Sequence, residues 1–177
     1  MRGCPLFYIR MDINFYEKGA RIMKFIEIIK RSFDSSHIYS QQELIQIVQT
    51  LDLSPENVIP YITPPKHLEY GRNIIYHTKN LEVMVLYFPS LAKTPIHNHG
   101  TSTGCIYIVQ GDLQNILYNF EPSETTPTYH QTQQFTQGNV FTVDKDTIHM
   151  MQNNLPLPAI TFHVYSPSLE GVTIHSS

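Results

Sequence analysis

The residues best equipped for chemistry lie in TPIHNHGTSTGCIYIVQGD, residues 94–112, where His97 and His99 form a His-x-His pair. On a β-strand, residues two apart point to one face. Both imidazoles can therefore stand on one side of a strand end and hold a single metal ion. The chain has 9 histidines, so such a pair has an ordinary alternative as two surface side chains ahead of a strand. A third ligand at a suitable place is what favours the metal. It comes about fifty residues on, as His149 in GNVFTVDKDTIHMMQN, residues 138–153.

Taken together, the two stretches resemble the paired motifs of the cupin superfamily. The first family motif runs His-x-His, three or four residues, Glu, six residues, Gly. His97, His99 and Gly111 fit it, and Gly104 stands where the Glu would be. The second runs Gly, five residues, Pro-x-Gly, two residues, His, three residues, Asn. Gly138, His149 and Asn153 fit it, while Asp144 and Asp146 replace the Pro and the Gly. Both motifs occur in order and at family spacing.

Three histidines without a carboxylate make a neutral ligand set. With zinc, such a set plus a water suits hydration or hydrolysis. With Fe(II), three ligands on one face leave up to three positions for substrate and oxygen. The usual non-haem iron site has two histidines and a carboxylate. Exchanging that carboxylate for histidine leaves the iron more positive, which suits an anionic, electron-donating ligand such as a thiolate.

The sequence is also similar to the cysteine dioxygenase family, over roughly residues 23–170. EYGRNIIY, residues 69–76, resembles the segment whose arginine binds the substrate carboxylate. PIHNHGTSTGC resembles the first metal motif in the form common in bacterial members, and ITFHVYSP, residues 160–167, the segment carrying a Ser-His-Tyr relay. The resemblance implies an Fe(II)-dependent oxidoreductase that adds both atoms of O2 to the thiol of L-cysteine, giving cysteine sulfinic acid without external reductant. It implies His97, His99 and His149 as iron ligands, Arg72 as the carboxylate-binding residue and Tyr70 beside the substrate amine. Thr161, His163 and Tyr165 match the relay, with Thr where the family has Ser, so the hydroxyl is kept. Period-two spacing puts these three on one face of a strand.

The resemblance bears on a cross-link as well. Animal members join a cysteine sulfur to the ortho carbon of the relay tyrosine. That cysteine lies seven residues after the first metal histidine, a place held here by Gly104. Cys105 is one residue on, and adjacent strand residues face opposite sides. No Cys–Tyr thioether is therefore expected, unless a bulge at Gly104 re-aims Cys105 toward Tyr165.

The elements that must position these residues are legible in the rest of the chain. Ile22, Phe25, Ile26, Ile29 and Phe33 recur at helical spacing and predict an amphipathic helix over about 20–33. Ser40 and Glu43 form a capping box for a second helix, whose buried face is Leu44, Ile47, Val48 and Leu51. Ser54-Pro55-Glu56 opens a third, which Pro60, Pro64 and Pro65 keep short. From residue 70 the pattern turns to strands: 73–77, 81–88, 104–110, 115–120, 128–136, 139–143 and 159–165, with 121–127 an exposed loop. Short strands without interleaved helices predict a mainly β domain, and a helical cap (about 23–62) followed by a jelly-roll barrel (about 70–170) fits. Residues 1–22 read as an N-terminal extension of uncertain status, and Met23 is an alternative start to Met1.

Composition narrows the function classes. A length of 177 residues suits one domain, and the net charge of −3 gives no reason to expect nucleic acid or an anionic membrane. Cys4 and Cys105 make no disulfide framework. The opening MRGCPLFYIRMD is interrupted by Arg10 and Asp12, so it does not read as a secretory leader. A monomer in a reducing cytoplasm is the expectation. Three alternatives to a cysteine dioxygenase stay open. One is a dioxygenase for another small thiol such as 3-mercaptopropionate, although relatives with that substrate carry Gln where Arg72 stands. The others are a non-catalytic metal-dependent cupin that binds a small ligand, and a zinc hydrolase. His37, His67, His77, His130 and His175 have no ligand spacing.

Overall fold

Apolar residues that alternate along a strand can serve two cores when the strand is covered on both sides, and the strands Leu81–Phe88 and Ala159–Ser166 do this. A computed structural model describes residues 15–121 and 123–176. It contains helices α1 (Phe15–Ser32), α2 (Gln41–Thr50) and α3 (Pro55–Val58), a 3₁₀ turn (Ile59–Tyr61), and ten strands. The strands are β1 (Gly71–Thr78), β2 (Leu81–Phe88), β3 (Ile96–His97), β4 (Thr103–Gln110), β5 (Asp112–Asn119), β6 (Thr128–Thr136), β7 (Val140–Val143), β8 (Ile148–Gln152), β9 (Ala159–Ser166) and β10 (Ile174–His175). They form two five-stranded antiparallel sheets, ordered β1-β2-β9-β4-β7 and β10-β3-β8-β5-β6. This is the cupin jelly roll with short N-terminal helices.

On β2, Leu81, Val83 and Val85 pack with the helices, while Met84, Leu86 and Phe88 face the barrel interior. On β9, Ile160, Phe162 and Val164 take the helical side, which leaves Thr161, His163 and Tyr165 inside. Every residue of β9 is buried as a result. Among the described residues no helix covers the outer face of the second sheet, and β6 is largely exposed. The cap is anchored by Phe25, Ile29, Leu44 and Val48. The capping box forms as read, with Glu43 Oε2 accepting from the Ser40 N–H at 2.8 Å.

Differences from the sequence reading are local. Helix α1 starts at Phe15, five residues before the expected start, and runs through Gly19, with no proline in the added turn. It runs on through Met23. Of the N-terminal extension, residues 1–14 lie outside the described residues, as does Cys4. Strand β5 begins at Asp112, since Gly111, at φ +78°, closes a tight hairpin from β4. Strands β3, β8 and β10 were not expected as strands; two of them have only two residues, too few to show a period. No described helix is long and apolar enough to cross a membrane.

Candidate metal centre

His97 ends β3, and His149 lies directly opposite it in β8. His99 lies beyond the end of β3, so the pair does not share a strand face. Instead the chain turns at Gly100, where φ is +61°, a conformation suited to glycine. Having left the strand after His97, the chain carries the His99 ring to the other two. Ring centroids are 5.2 Å apart for His97 and His99, and 4.8 Å for each of these with His149. One ring nitrogen from each lies within 4.8 Å of the others.

The hydrogen bonds fix which nitrogens remain free. Nδ1 of His97 meets the Pro95 carbonyl at 2.9 Å. Nδ1 of His149 meets Oδ1 of Asn115 at 2.6 Å, and Asn115 in turn donates from Nδ2 to Oε1 of Gln133 at 3.0 Å. A carbonyl or amide oxygen can only accept, so in both histidines Nδ1 carries the proton and Nε2 holds the lone pair. Nε2 of His149 and both ring nitrogens of His99 are buried without a partner. Buried polar atoms without partners are costly. A metal ion would satisfy them, so the residues present fit one.

Burial also sets the protonation state. It holds His99 down at about 3, with repulsion from His97 adding to it. The Asp144 carbonyl opposes that shift without making a hydrogen bond of good geometry to the ring. Burial likewise lowers His97, and lowers His149 well below the ordinary value. All three are neutral near pH 7, which is the ligating form.

A cavity of about 340 Å³ opens onto this cluster. Tyr70, Arg72 and Tyr165 line it together with His97 and His99, and Met84, Leu86 and Met151 give apolar walls. Inside the barrel, Oγ1 of Thr161 lies 2.7 Å from Nε2 of His163, and Nδ1 of His163 lies 3.0 Å from the Tyr165 hydroxyl. A neutral imidazole has one N–H, so this chain runs in one direction from end to end. Burial lowers His163 to about 3 and raises the Tyr165 phenol above its ordinary range; Arg72 opposes the second shift. Tyr165 is thus a neutral phenol, with its ring stacked on His99 at 5.4 Å. Tyr70 stacks on Phe88 at 5.3 Å, and burial raises its hydroxyl as well.

Of the eight candidate residues, Tyr70, Arg72, His97, His99 and Tyr165 line the cavity, His149 joins through the histidine cluster, and Thr161 and His163 join through Tyr165. Sequence reasoning missed two further polar residues there. Asn115 orients His149, and Glu82 accepts a hydrogen bond from Nη2 of Arg72 at 2.8 Å. The signal for Glu82 was present: it stands in phase with Met84, Leu86 and Phe88, the interior positions of β2. Asn115 likewise follows Leu113 by two residues on β5. A polar residue at a core phase is a sign of a specific partner.

Cys105 lies on the helical side of β4 and packs with the cap core, whereas Tyr165 belongs to the barrel interior. The register irregularity of β4 falls between Ile108 and Gln110, away from Gly104. Burial pushes the Cys105 thiol up to about 12.

Comparison with known proteins agrees with this architecture. The family model of cysteine dioxygenase type I matches residues 19–177. A conserved protein with a double-stranded β-helix domain from Klebsiella pneumoniae superposes with a TM-score of 0.53 at 18% identity, over 68% of this chain and 95% of its own. The cupin domain of Schizosaccharomyces pombe Cnp3 gives 0.51 at 12% identity, over 62% and 72%. Oxalate oxidase gives 0.52 at 13%, over 63% and 58%. At these identities the solved structures speak for the fold alone. The family match is broader, and the chain belongs to the cysteine dioxygenase type I family.

Proposed function

We propose that this member of the cysteine dioxygenase type I family is an Fe(II)-dependent enzyme that oxidises L-cysteine to cysteine sulfinic acid. The observation that carries the reading is the shared cavity: two rings of a three-histidine cluster with unpartnered nitrogens, and a guanidinium, line the same space. A metal-binding cluster alone would serve many reactions. An arginine across the cavity selects for a small thiol that also bears a carboxylate.

The reaction balances without another reductant. The thiol sulfur loses four electrons, O2 gains them, and both oxygen atoms end in the sulfinate. His97, His99 and His149 would hold the iron, which supplies the redox chemistry that lets O2 react with a thiol. Their neutrality leaves the metal charge unmatched and favours a thiolate ligand over a neutral one. Arg72 grips the substrate carboxylate through charge-assisted hydrogen bonds, and Tyr70 stands beside the amine. Tyr165 offers a hydroxyl next to the metal. Thr161 and His163 hold that hydroxyl in place and give it a proton partner. Apolar walls at Met84, Leu86 and Met151 limit water. Tyr165 acts as an unmodified phenol, because Cys105 faces the cap core. A reducing cytoplasm would keep both the iron and the thiol in reactive form.

Oxygen uptake by the iron-loaded protein against a set of thiols tests the substrate. L-Cysteine is expected to give the highest kcat/KM. A preference for 3-mercaptopropionate would assign the enzyme to that thiol instead, and uptake with none of them would leave a ligand-binding cupin.

A further inference from the structure

The carboxylate of Glu82 is 4% exposed and projects from β2 on the interior face. Such a group is not retained in an apolar wall without a partner. Oε1 lies 2.8 Å from Nη2 of Arg72, and Oε2 lies 3.8 Å from Nε2 of His77. Local irregularity makes this arrangement possible. Strand β1 pairs with β2 as Arg72↔Leu86 and His77↔Glu82, with a register shift between Ile74 and Tyr76. Residues paired across strands share a face, so Arg72, opposite Leu86, lies on the interior side with Glu82, and the shift brings His77 to that side as well.

Arg72 itself is 36% exposed at the side chain and stands between two depressions. One is the cavity with His97, His99 and Tyr165. The other is a groove lined by Thr63, Lys66, His67 and Asn73, which does not include His97, His99 or His149. A long, partly exposed arginine has little reason of its own to prefer either. Glu82 supplies one. It is absent from the lining of both depressions and lies behind the guanidinium, where its charge-assisted bond occupies one N–H and leaves the others free.

We propose that Glu82 is the positioning residue of this site: it pins the Arg72 guanidinium at the cavity and so gives the enzyme its discrimination for thiols that carry a carboxylate. This rests on the function proposed above. It adds a residue that never touches substrate yet sets how strongly the carboxylate counts. It also makes the pair asymmetric. Removing Glu82 frees an exposed cation, whereas removing Arg72 strands a buried anion.

Two measurements test it. In steady-state kinetics, Glu82→Ala should raise KM for L-cysteine about tenfold, with a much smaller change in kcat. The loss on L-cysteine should exceed that on cysteamine, which lacks a carboxylate, by a similar factor. Glu82→Gln, which keeps the shape and an acceptor oxygen, should recover part of the loss. Equal losses on both thiols, or no change in KM, would overturn the proposal. The second measurement needs no turnover: thermal unfolding of Arg72→Ala, Glu82→Gln and the double variant, all metal-free. Arg72→Ala should be the least stable, and adding Glu82→Gln should restore most of the lost Tm. If the double variant is no more stable than Arg72→Ala, the pairing is wrong. A wild-type protein that fails to oxidise cysteine would sink the proposed function, while the unfolding series would still decide whether the pair forms.

Discussion

Gly104 on β4 and Tyr165 on β9 are direct register partners, and a β-carbon placed on Gly104 would lie 2.6 Å from Cε1 of the Tyr165 ring. At that one position the interior side of β4 carries no side chain, and the Tyr165 ring fills the space. Gly104→Ala should destabilise the protein by about 1–3 kcal/mol, the usual cost of overpacking, because both the ring and the opposing Val143 are confined. Urea denaturation checks this; an unchanged midpoint would mean that the ring moves aside freely.

The same relationship bears on covalent modification. Cys105 packs in the cap core, on the far side of its strand from Tyr165. Peptide mass spectrometry after turnover should find Cys105 and Tyr165 in separate, unlinked peptides. A joined pair that has lost two hydrogens would contradict the account.

Removing any one of His97, His99 or His149 should abolish iron retention, since three neutral ligands are already a minimal set. Metal analysis after desalting reads this directly. Asn115→Ala should act more mildly, lowering metal affinity roughly ten- to a hundredfold by releasing Nδ1 of His149 from its acceptor. Full iron content in a histidine variant would move the site elsewhere.

Much of this site was legible before the fold, and the exceptions have physical causes. The histidine spacings picked out the three rings that cluster, although a shared strand face does not account for His97 and His99. They converge where the chain leaves β3 after His97, and a two-residue strand leaves no period to read. The alternation of β9 was readable because strand geometry alone places Thr161, His163 and Tyr165 on one face. Glu82 was hidden by its neighbours: in LEVMVLYF it reads as a polar end to an apolar strand. Its approach to His77 depends on a register shift in β1 that no local pattern announces. Asn115 needed β8 beside it, and β8 follows a turn whose Asp residues obscure the motif.

Arg72→Ala should lose activity on L-cysteine roughly ten- to a hundredfold more than on cysteamine. Because it also strands Glu82, the comparison is cleaner in a Glu82→Gln background. Equal losses on the two thiols there would make Arg72 a structural residue.

The metal-free protein should weaken in mild acid. Burial holds His99 and His163 at about 3 in the folded state, below the ordinary 6.5. Between these values the unfolded chain binds protons that the folded chain does not. Stability is therefore full above about pH 6.5 and falls as the pH drops toward 3. Unfolding midpoints at pH 8, 6.5 and 5 should decrease only between the last two. A flat profile would show that these rings are solvated.

The central claim is that this cavity adds both atoms of O2 to the sulfur of cysteine. The direct measurement is to load the protein anaerobically with Fe(II), add L-cysteine and ¹⁸O₂, and follow the product by NMR and mass spectrometry. The account predicts cysteine sulfinic acid carrying two ¹⁸O atoms, formed in step with oxygen consumed. Cystine alone, or a sulfinate with oxygen drawn from water, from protein with its iron in place, would contradict it.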